Sequence, residues 1–184
     1  MKAKIGLGVL IFLSMNAYSQ PLRVRGGLKG GLSFSNRKTD PSANYPGSAR
    51  TGLMGGGFLN IYPGKNFLLQ PAALFVRKGG KSYDELSAVY LEIPLNILFK
   101  MGAEKGGIFF GGGFSPAFKT SRNFYGYSED VKKFDLGINA SAGYMFPIGF
   151  SVNLGYTLGI LNVSGDEAFS MYNRYFGLAA GYEF

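Results

Sequence analysis

The sequence predicts an all-β protein: an eight-stranded antiparallel up-and-down transmembrane β-barrel, preceded by a cleaved signal peptide. Three observations carry that prediction. Apolar and polar residues alternate with a period of two along the chain, the pattern of strands rather than helices. The connections between eight such segments alternate strictly between long and short. The composition pairs 29 glycines with 17 Phe and 12 Tyr, while only 16% of residues are charged, against roughly 25% in an ordinary soluble domain.

Residues 1–19 come first and read as an export signal. Lys2 and Lys4 supply a positive start, residues 5–13 form an uncharged apolar core, and Ala17-Tyr18-Ser19 is a small-x-small cleavage site before Gln20. That core is too short to span a bilayer, which takes about 20 residues. Residues 20–184 then form one barrel domain. Cleavage removes two lysines and leaves 17 basic and 11 acidic residues, a mature charge of +6. No cysteine is available for a lipid anchor or a disulfide, and no histidine for imidazole chemistry.

The first strand is expected over residues 27–35, with Leu28, Leu32 and Phe34 facing one way and Lys29, Ser33 and Ser35 the other. Residues 52–62 set Leu53, Leu59 and Ile61 against Met54, Phe58 and Asn60. Residues 67–78 set Phe67, Leu69, Ala73 and Phe75 against Gln70, Ala72, Leu74 and Lys78. Residues 90–100 alternate more strongly, with Leu91, Ile93, Leu95, Ile97 and Phe99 opposed to Tyr90, Glu92, Pro94, Asn96, Leu98 and Lys100. Residues 108–118 oppose Ile108, Phe110, Phe114 and Phe118 to Phe109, Gly111, Gly113 and Ser115. Residues 134–146 and 150–161, joined by Pro147-Ile148-Gly149, form an uncharged stretch from Leu136 onward that hydropathy alone would take for a helix. Repeated glycines and a polar residue at every second position exclude that reading. The last strand, residues 175–184, alternates Phe176, Leu178, Ala180, Tyr182 and Phe184 with Tyr175, Gly177, Ala179, Gly181 and Glu183. Across the four strong strands every position of one face is apolar or tyrosine, whereas the opposite face is mostly Gly, Ser, Asn or charged. Pro71, Pro94 and Pro116 fall inside strands, where a missing N–H favours a bulge.

The links over residues 36–51, 79–87, 119–133 and 163–172 are long, and those over 63–66, 101–107 and 147–149 are short. Turns at one rim and loops at the other are the signature of an up-and-down membrane barrel.

The lumen of eight strands is only just wide enough to be filled by side chains. Phe134, Tyr144, Phe146, Phe150, Tyr156 and Tyr182 are too bulky for it, so the apolar face is expected in lipid and the small, polar face inside. Aromatics should form interfacial girdles: Tyr62, Phe67, Phe99, Phe146, Phe150, Tyr182 and Phe184 at the short-turn rim, and Phe34, Phe75, Phe118, Phe134 and Phe176 at the long-loop rim.

Several short motifs resemble one family. Gly30-Gly31-Leu32-Ser33, Leu69-Gln70-Pro71 running to Lys78-Gly79-Gly80, Tyr90-Leu91-Glu92-Ile93-Pro94-Leu95, Phe134-Asp135-Leu136-Gly137 and the terminal Gly181-Tyr182-Glu183-Phe184 look like the PorT-like small outer-membrane β-barrels of Bacteroidetes. The resemblance covers essentially the whole mature chain, although Ala72 stands where the family usually has an acidic residue. It implies an outer-membrane location, and Phe184 resembles the signal read by the outer-membrane insertion machinery. The family's name-bearer takes part in a gingipain secretion system, which implies a possible link to secretion-system proteins.

The expected inward face carries Lys29, Gln70, Lys78, Glu92, Asn96, Lys100, Asp135, Asn139 and Glu183. Such residues could line a channel or a proton-handling site, but buried charges must be paired, and a hydrogen-bonded plug is favoured. Hairpin pairing brings Glu92 and Asp135 both near Ala117, where they require a cation such as Lys29 or Lys78, or a shared proton. Gly80-Lys81-Ser82 imitates the end of a phosphate loop, but Phe75 occupies the required earlier glycine position. Arg37, Lys38, Arg50, Lys81, Arg122, Lys132 and Lys133 are expected in or beside the long loops, facing lipopolysaccharide, and form no nucleic-acid stripe. Asn123, Phe124, Tyr125 and Tyr127 make the best candidate contact patch.

No catalytic, cofactor or metal site is expected. Outer-membrane barrel enzymes resemble one another in using a histidine, which is absent. The expected function is a non-enzymatic structural or interaction role through the surface loops of a monomer in the bacterial outer membrane. Its alternatives are an accessory role in a protein secretion assembly and, more weakly, a soluble exported ligand-binding barrel.

Overall fold

The computed structural model describes residues 22–40, 48–81, 87–102, 106–120, 132–164 and 170–184. The expected leader, residues 1–19, and the expected Asn123–Tyr127 contact patch lie outside them. The strands are β1 (Arg23–Asp40), β2 (Ser48–Tyr62), β3 (Phe67–Lys81), β4 (Ser87–Glu92), β5 (Leu95–Met101), β6 (Gly107–Lys119), β7 (Phe134–Met145), β8 (Phe150–Gly159) and β9 (Ser170–Glu183). β4 and β5 are two halves of one barrel strand, since both pair with β3 on one side and β6 on the other. Every pairing is antiparallel. The ring closes through β1–β9 and β2–β3, so the molecule is an eight-stranded closed barrel.

Closure leaves no sheet edge to face lipid, which could not satisfy one. Outside stand exposed apolar residues from every wall: Leu28, Leu53, Phe75, Ile97, Phe114, Ile138, Leu154 and Leu178. A water-soluble barrel would bury this face, so the soluble ligand-binding alternative fails. Girdle aromatics touch one another. Phe67 meets Phe99 at 5.6 Å and Phe146 meets Phe150 at 5.7 Å at the short-turn rim, and Phe118 meets Phe134 at 5.3 Å at the other.

Three expectations need correction. The strands run further past the long-loop rim than the apolar pattern does: β1 continues to Asp40, paired with Ser170, rather than ending at 35. Arg37, Lys38, Arg50 and Lys81 therefore sit on strands, not in loops. Apolar alternation marks depth in lipid, whereas antiparallel pairing goes on satisfying backbone groups in water. The prolines introduce no register shift. Pro71 opposite Leu95 and Leu74 opposite Glu92 share one offset across the gap at Ile93-Pro94. The Pro94 carbonyl still accepts from the Ala72 N–H at 3.0 Å, and the Pro116 carbonyl from the Ile93 N–H at 2.8 Å, so the ladder loses donors but keeps its acceptors. The irregularity falls instead between Ala49 and Met54, opposite β3. Finally, Tyr62 leaves the girdle: it shares the inward parity of Phe58 and Asn60, and its hydroxyl bonds to Glu183.

The glycines of β6 allow close strand approach. A Cβ at Gly113 would overlap the Leu95 carbonyl oxygen, and one at Gly111 the Ile97 carbonyl oxygen. Gly113→Ala must push β5 away and is expected to cost about 1–3 kcal/mol, read as a lower urea midpoint for the refolded barrel. An unchanged midpoint would show that the β5–β6 seam has slack. At the turn after β7, Gly149 has φ +87° and donates its N–H to the Phe146 carbonyl at 3.0 Å, a backbone geometry that favours glycine.

Candidate functional site: the lumen and its two mouths

Inward parity delivers polar side chains from strands all round the ring into a space that must pair them. They form two groups. Towards the long-loop rim, the Lys78 ammonium meets a Glu92 carboxylate oxygen at 2.6 Å, with both side chains almost fully buried. The other Glu92 oxygen accepts the Tyr175 hydroxyl at 2.8 Å and the Ser115 hydroxyl at 2.5 Å. Lys78 also lies over the rings of Tyr90 and Tyr175, at 5.3 and 5.1 Å from their centroids. Residue Ala117 stands opposite both Glu92 and Asp135, so the two carboxylates do share a level. They do not share a cation: Lys78 serves Glu92, while Asp135 accepts the Asn173 amide at 3.0 Å.

Towards the short-turn rim, Glu183 is the hub. It accepts from the Asn60 amide at 2.5 Å, the Tyr62 hydroxyl at 2.6 Å and the Arg25 guanidinium at 3.2 Å. The Gln70 amide donates to the Asn60 carbonyl at 2.8 Å, and Lys29 donates to the Gln70 carbonyl at 3.3 Å. A continuous chain thus runs from Lys29 through Gln70, Asn60 and Glu183 to Arg25. Lys29, one of the two cations that could have faced the carboxylate pair, is engaged by Gln70 and lies 5.8 Å from the Phe58 ring centroid.

Between the groups is a void of about 50 Å³ whose lining includes Lys29, Gln70, Glu92, Asn96, Asn139 and Tyr175. It has room for a few waters at about 10–15 Å³ each. The Asn96 side-chain carbonyl and both polar atoms of the Asn139 amide have no protein partner, which suits such water. Beyond it the lumen narrows onto packed apolar side chains. Leu68, Leu98, Phe109 and Met145, with Tyr62 against them, fill the turn-side interior. Phe58, Ala72, Leu74, Val76 and Tyr175 form a second buried cluster.

The nine inward candidates therefore separate by role. Lys29, Gln70, Lys78, Glu92, Asp135 and Glu183 belong to the two bonded groups, Asn96 and Asn139 line the void, and buried Lys100 borders the turn-side mouth. Asn60, Ser115 and Tyr175 had the right parity but were not singled out, because a neutral side chain reveals its role only through its partner. Asn173 lies just past a link expected to end at 172 and inside the extended β9.

Comparison with solved structures agrees with this architecture. OprG, an outer membrane protein of Pseudomonas aeruginosa, is similar with a TM-score of 0.53 at 12% identity, over 89% of this chain and 97% of that one. Neisserial surface protein A is similar with a TM-score of 0.52 at 10% identity, over 86% of this chain and 97% of that one. At such identities the likeness establishes the fold alone. No curated relative matches the sequence. The family described as "Outer membrane protein beta-barrel domain" matches residues 16–165. With its lipid-facing apolar wall and closed antiparallel ring, this chain belongs to the outer membrane protein β-barrel domain family and resides in the bacterial outer membrane.

Proposed function

We propose that the protein is a non-enzymatic outer-membrane barrel that works at its rims and surface loops rather than through its lumen. The filled interior carries this reading. The Lys78–Glu92–Tyr175–Ser115 group on one side and the Leu68–Leu98–Phe109–Met145 cluster on the other bracket a void of about 50 Å³, far smaller than the roughly 300–1,000 Å³ of a small-molecule site. A sequence without histidine or cysteine also lacks the commonest acid–base and thiol groups. Reconstitution into planar bilayers is expected to give no sustained conductance. A steady open current at low voltage would overturn the plug and restore the channel reading.

Activity at the loops then falls to residues such as Asn123, Phe124, Tyr125 and Tyr127, with lipopolysaccharide and envelope proteins as partners. Replacing the three aromatics by serine should abolish surface cross-links to a partner while leaving the folded form intact. A second reading, accessory to a protein secretion assembly, draws on the PorT-like motifs. A deletion strain that secretes its full set of cargo would end it.

Phe184 supports a further expectation. Its side chain is 71% exposed and its N–H bonds to the Gly26 carbonyl at 3.0 Å, so it presents an aromatic at the C-terminus without packing inside. Phe184→Ser should slow assembly in cells several-fold yet barely alter the unfolding midpoint of the refolded barrel, where exposed substitutions stay within about 0.5 kcal/mol. Equal effects on both would make Phe184 a stability residue instead of a recognition signal.

A further inference from the structure

The turn-side mouth opens into a cleft of about 640 Å³, bordered by Arg23, Arg25, Lys65, Lys100, Glu183 and, along one wall, Phe146 to Gly149 with Tyr182 and Phe184. Leaving aside buried Lys100, which has an interaction of its own, its described lining carries three cations, Arg23, Arg25 and Lys65, against one acid, Glu183. That carboxylate is already met by Asn60, Tyr62 and Arg25. Arg25 commits one N–H to it at 3.2 Å and keeps half of its side chain exposed, and a guanidinium carries five donors. The mouth therefore holds an excess of fixed positive charge beside a partly open guanidinium fork, the geometry that suits a phosphate.

The walls decide which phosphate. Ile148 is 75% exposed and Phe184 71% exposed, and Phe146 and Tyr182 continue the apolar surface onto the lipid-facing wall. Below, Met145 belongs to the cluster that closes the lumen, so the cleft does not lead inward. A bound molecule must place an anion in the mouth and let its apolar part pass outward across the rim. In outer-membrane barrels the short turns and both termini lie on the periplasmic side, level with the headgroups of the inner leaflet.

We propose that this mouth is a binding site for the headgroup phosphate of an anionic phospholipid. The phosphate sits among Arg23, Arg25 and Lys65 above buried Lys100, and the acyl chains leave over Ile148 and Phe184. The site is independent of the long loops, so it anchors and orients the barrel whatever those loops contact.

The test uses the mature chain, folded in detergent micelles doped with phosphatidylglycerol, with phosphatidylcholine, or with soluble glycerol phosphate, and reads retained adducts by native mass spectrometry. Wild type should retain one phosphatidylglycerol per chain and little phosphatidylcholine. Arg23→Gln/Lys65→Gln should weaken retention about tenfold or more, because each basic group near an anionic surface contributes substantially. Lys132→Gln/Lys133→Gln at the opposite rim should leave it within about twofold. Single Lys65→Gln, in the turn between β2 and β3, serves if the double variant does not give the folded form. Equal retention of phosphatidylcholine, or equal loss in the opposite-rim control, overturns the site. Glycerol phosphate binding as tightly as phosphatidylglycerol assigns the cleft to free anions and overturns the lipid claim.

Discussion

Lys78→Met is expected to destabilise the folded barrel by about 3–5 kcal/mol, because it leaves an uncompensated carboxylate in a buried interior. Glu92 would keep the Tyr175 and Ser115 hydroxyls on one oxygen, but the other would lose the ammonium 2.6 Å away. Two hydroxyl donors cannot replace a full counter-charge at a site only 1% exposed. Adding Glu92→Gln to the same chain removes the stranded charge and should recover much of the loss, since deleting both members of a buried ion pair is often close to neutral. Urea unfolding in phospholipid vesicles, followed by gel mobility with and without boiling, gives all four corners of the double-mutant cycle. A single-variant cost below about 1 kcal/mol, the range of exposed pairs, would show that Lys78 and Glu92 are solvated like a surface pair. The plug would then be porous.

Leu154→Arg should cost about 2–4 kcal/mol in a bilayer. Leu154 pairs with Leu178, and Leu178 with Leu32, so the position lies near the middle of three adjacent walls with only apolar neighbours outside. An arginine there must pull its guanidinium towards an interface or drag water inward. Serine at the same position is neutral, and Leu154→Ser should cost markedly less. Measured in vesicles of graded acyl-chain length, the arginine penalty should grow with thickness. A penalty within about 0.5 kcal/mol, as for a water-exposed substitution, would mean that this face does not meet lipid.

These two expectations draw on different levels of information. That Leu154 faces lipid is legible from the alternation of residues 150–161 alone, because pleating sends successive side chains to opposite sides. That Glu92 and Asp135 share a level follows from antiparallel pairing of consecutive barrel strands, which sets both opposite Ala117. Which cation serves which carboxylate was not legible. Lys29 and Lys78 have the same parity, and their separation depends on closing β2 onto β3 and on which side chains then converge from across the ring. Likewise the prolines suggested bulges from local chemistry, yet the paired strands on both sides of β4 and β5 held the register and displaced the irregularity to β2.

By itself the sequence determined the strand count, the face turned to lipid and the absence of imidazole and thiol chemistry. Each of these is local: it depends on residue type, on parity, or on a turn between neighbours. Only the tertiary structure decided that Lys78 closes on Glu92, that Glu183 gathers Asn60, Tyr62 and Arg25, and that basic and aromatic residues of both chain ends meet in one cleft. Those partners lie up to 158 residues apart. Nothing in a period of two specifies them: Lys78 is chosen for Glu92 from several same-parity side chains of adjacent strands, and the Glu183 group and the cleft form only when the last strand pairs with the first and the ring closes.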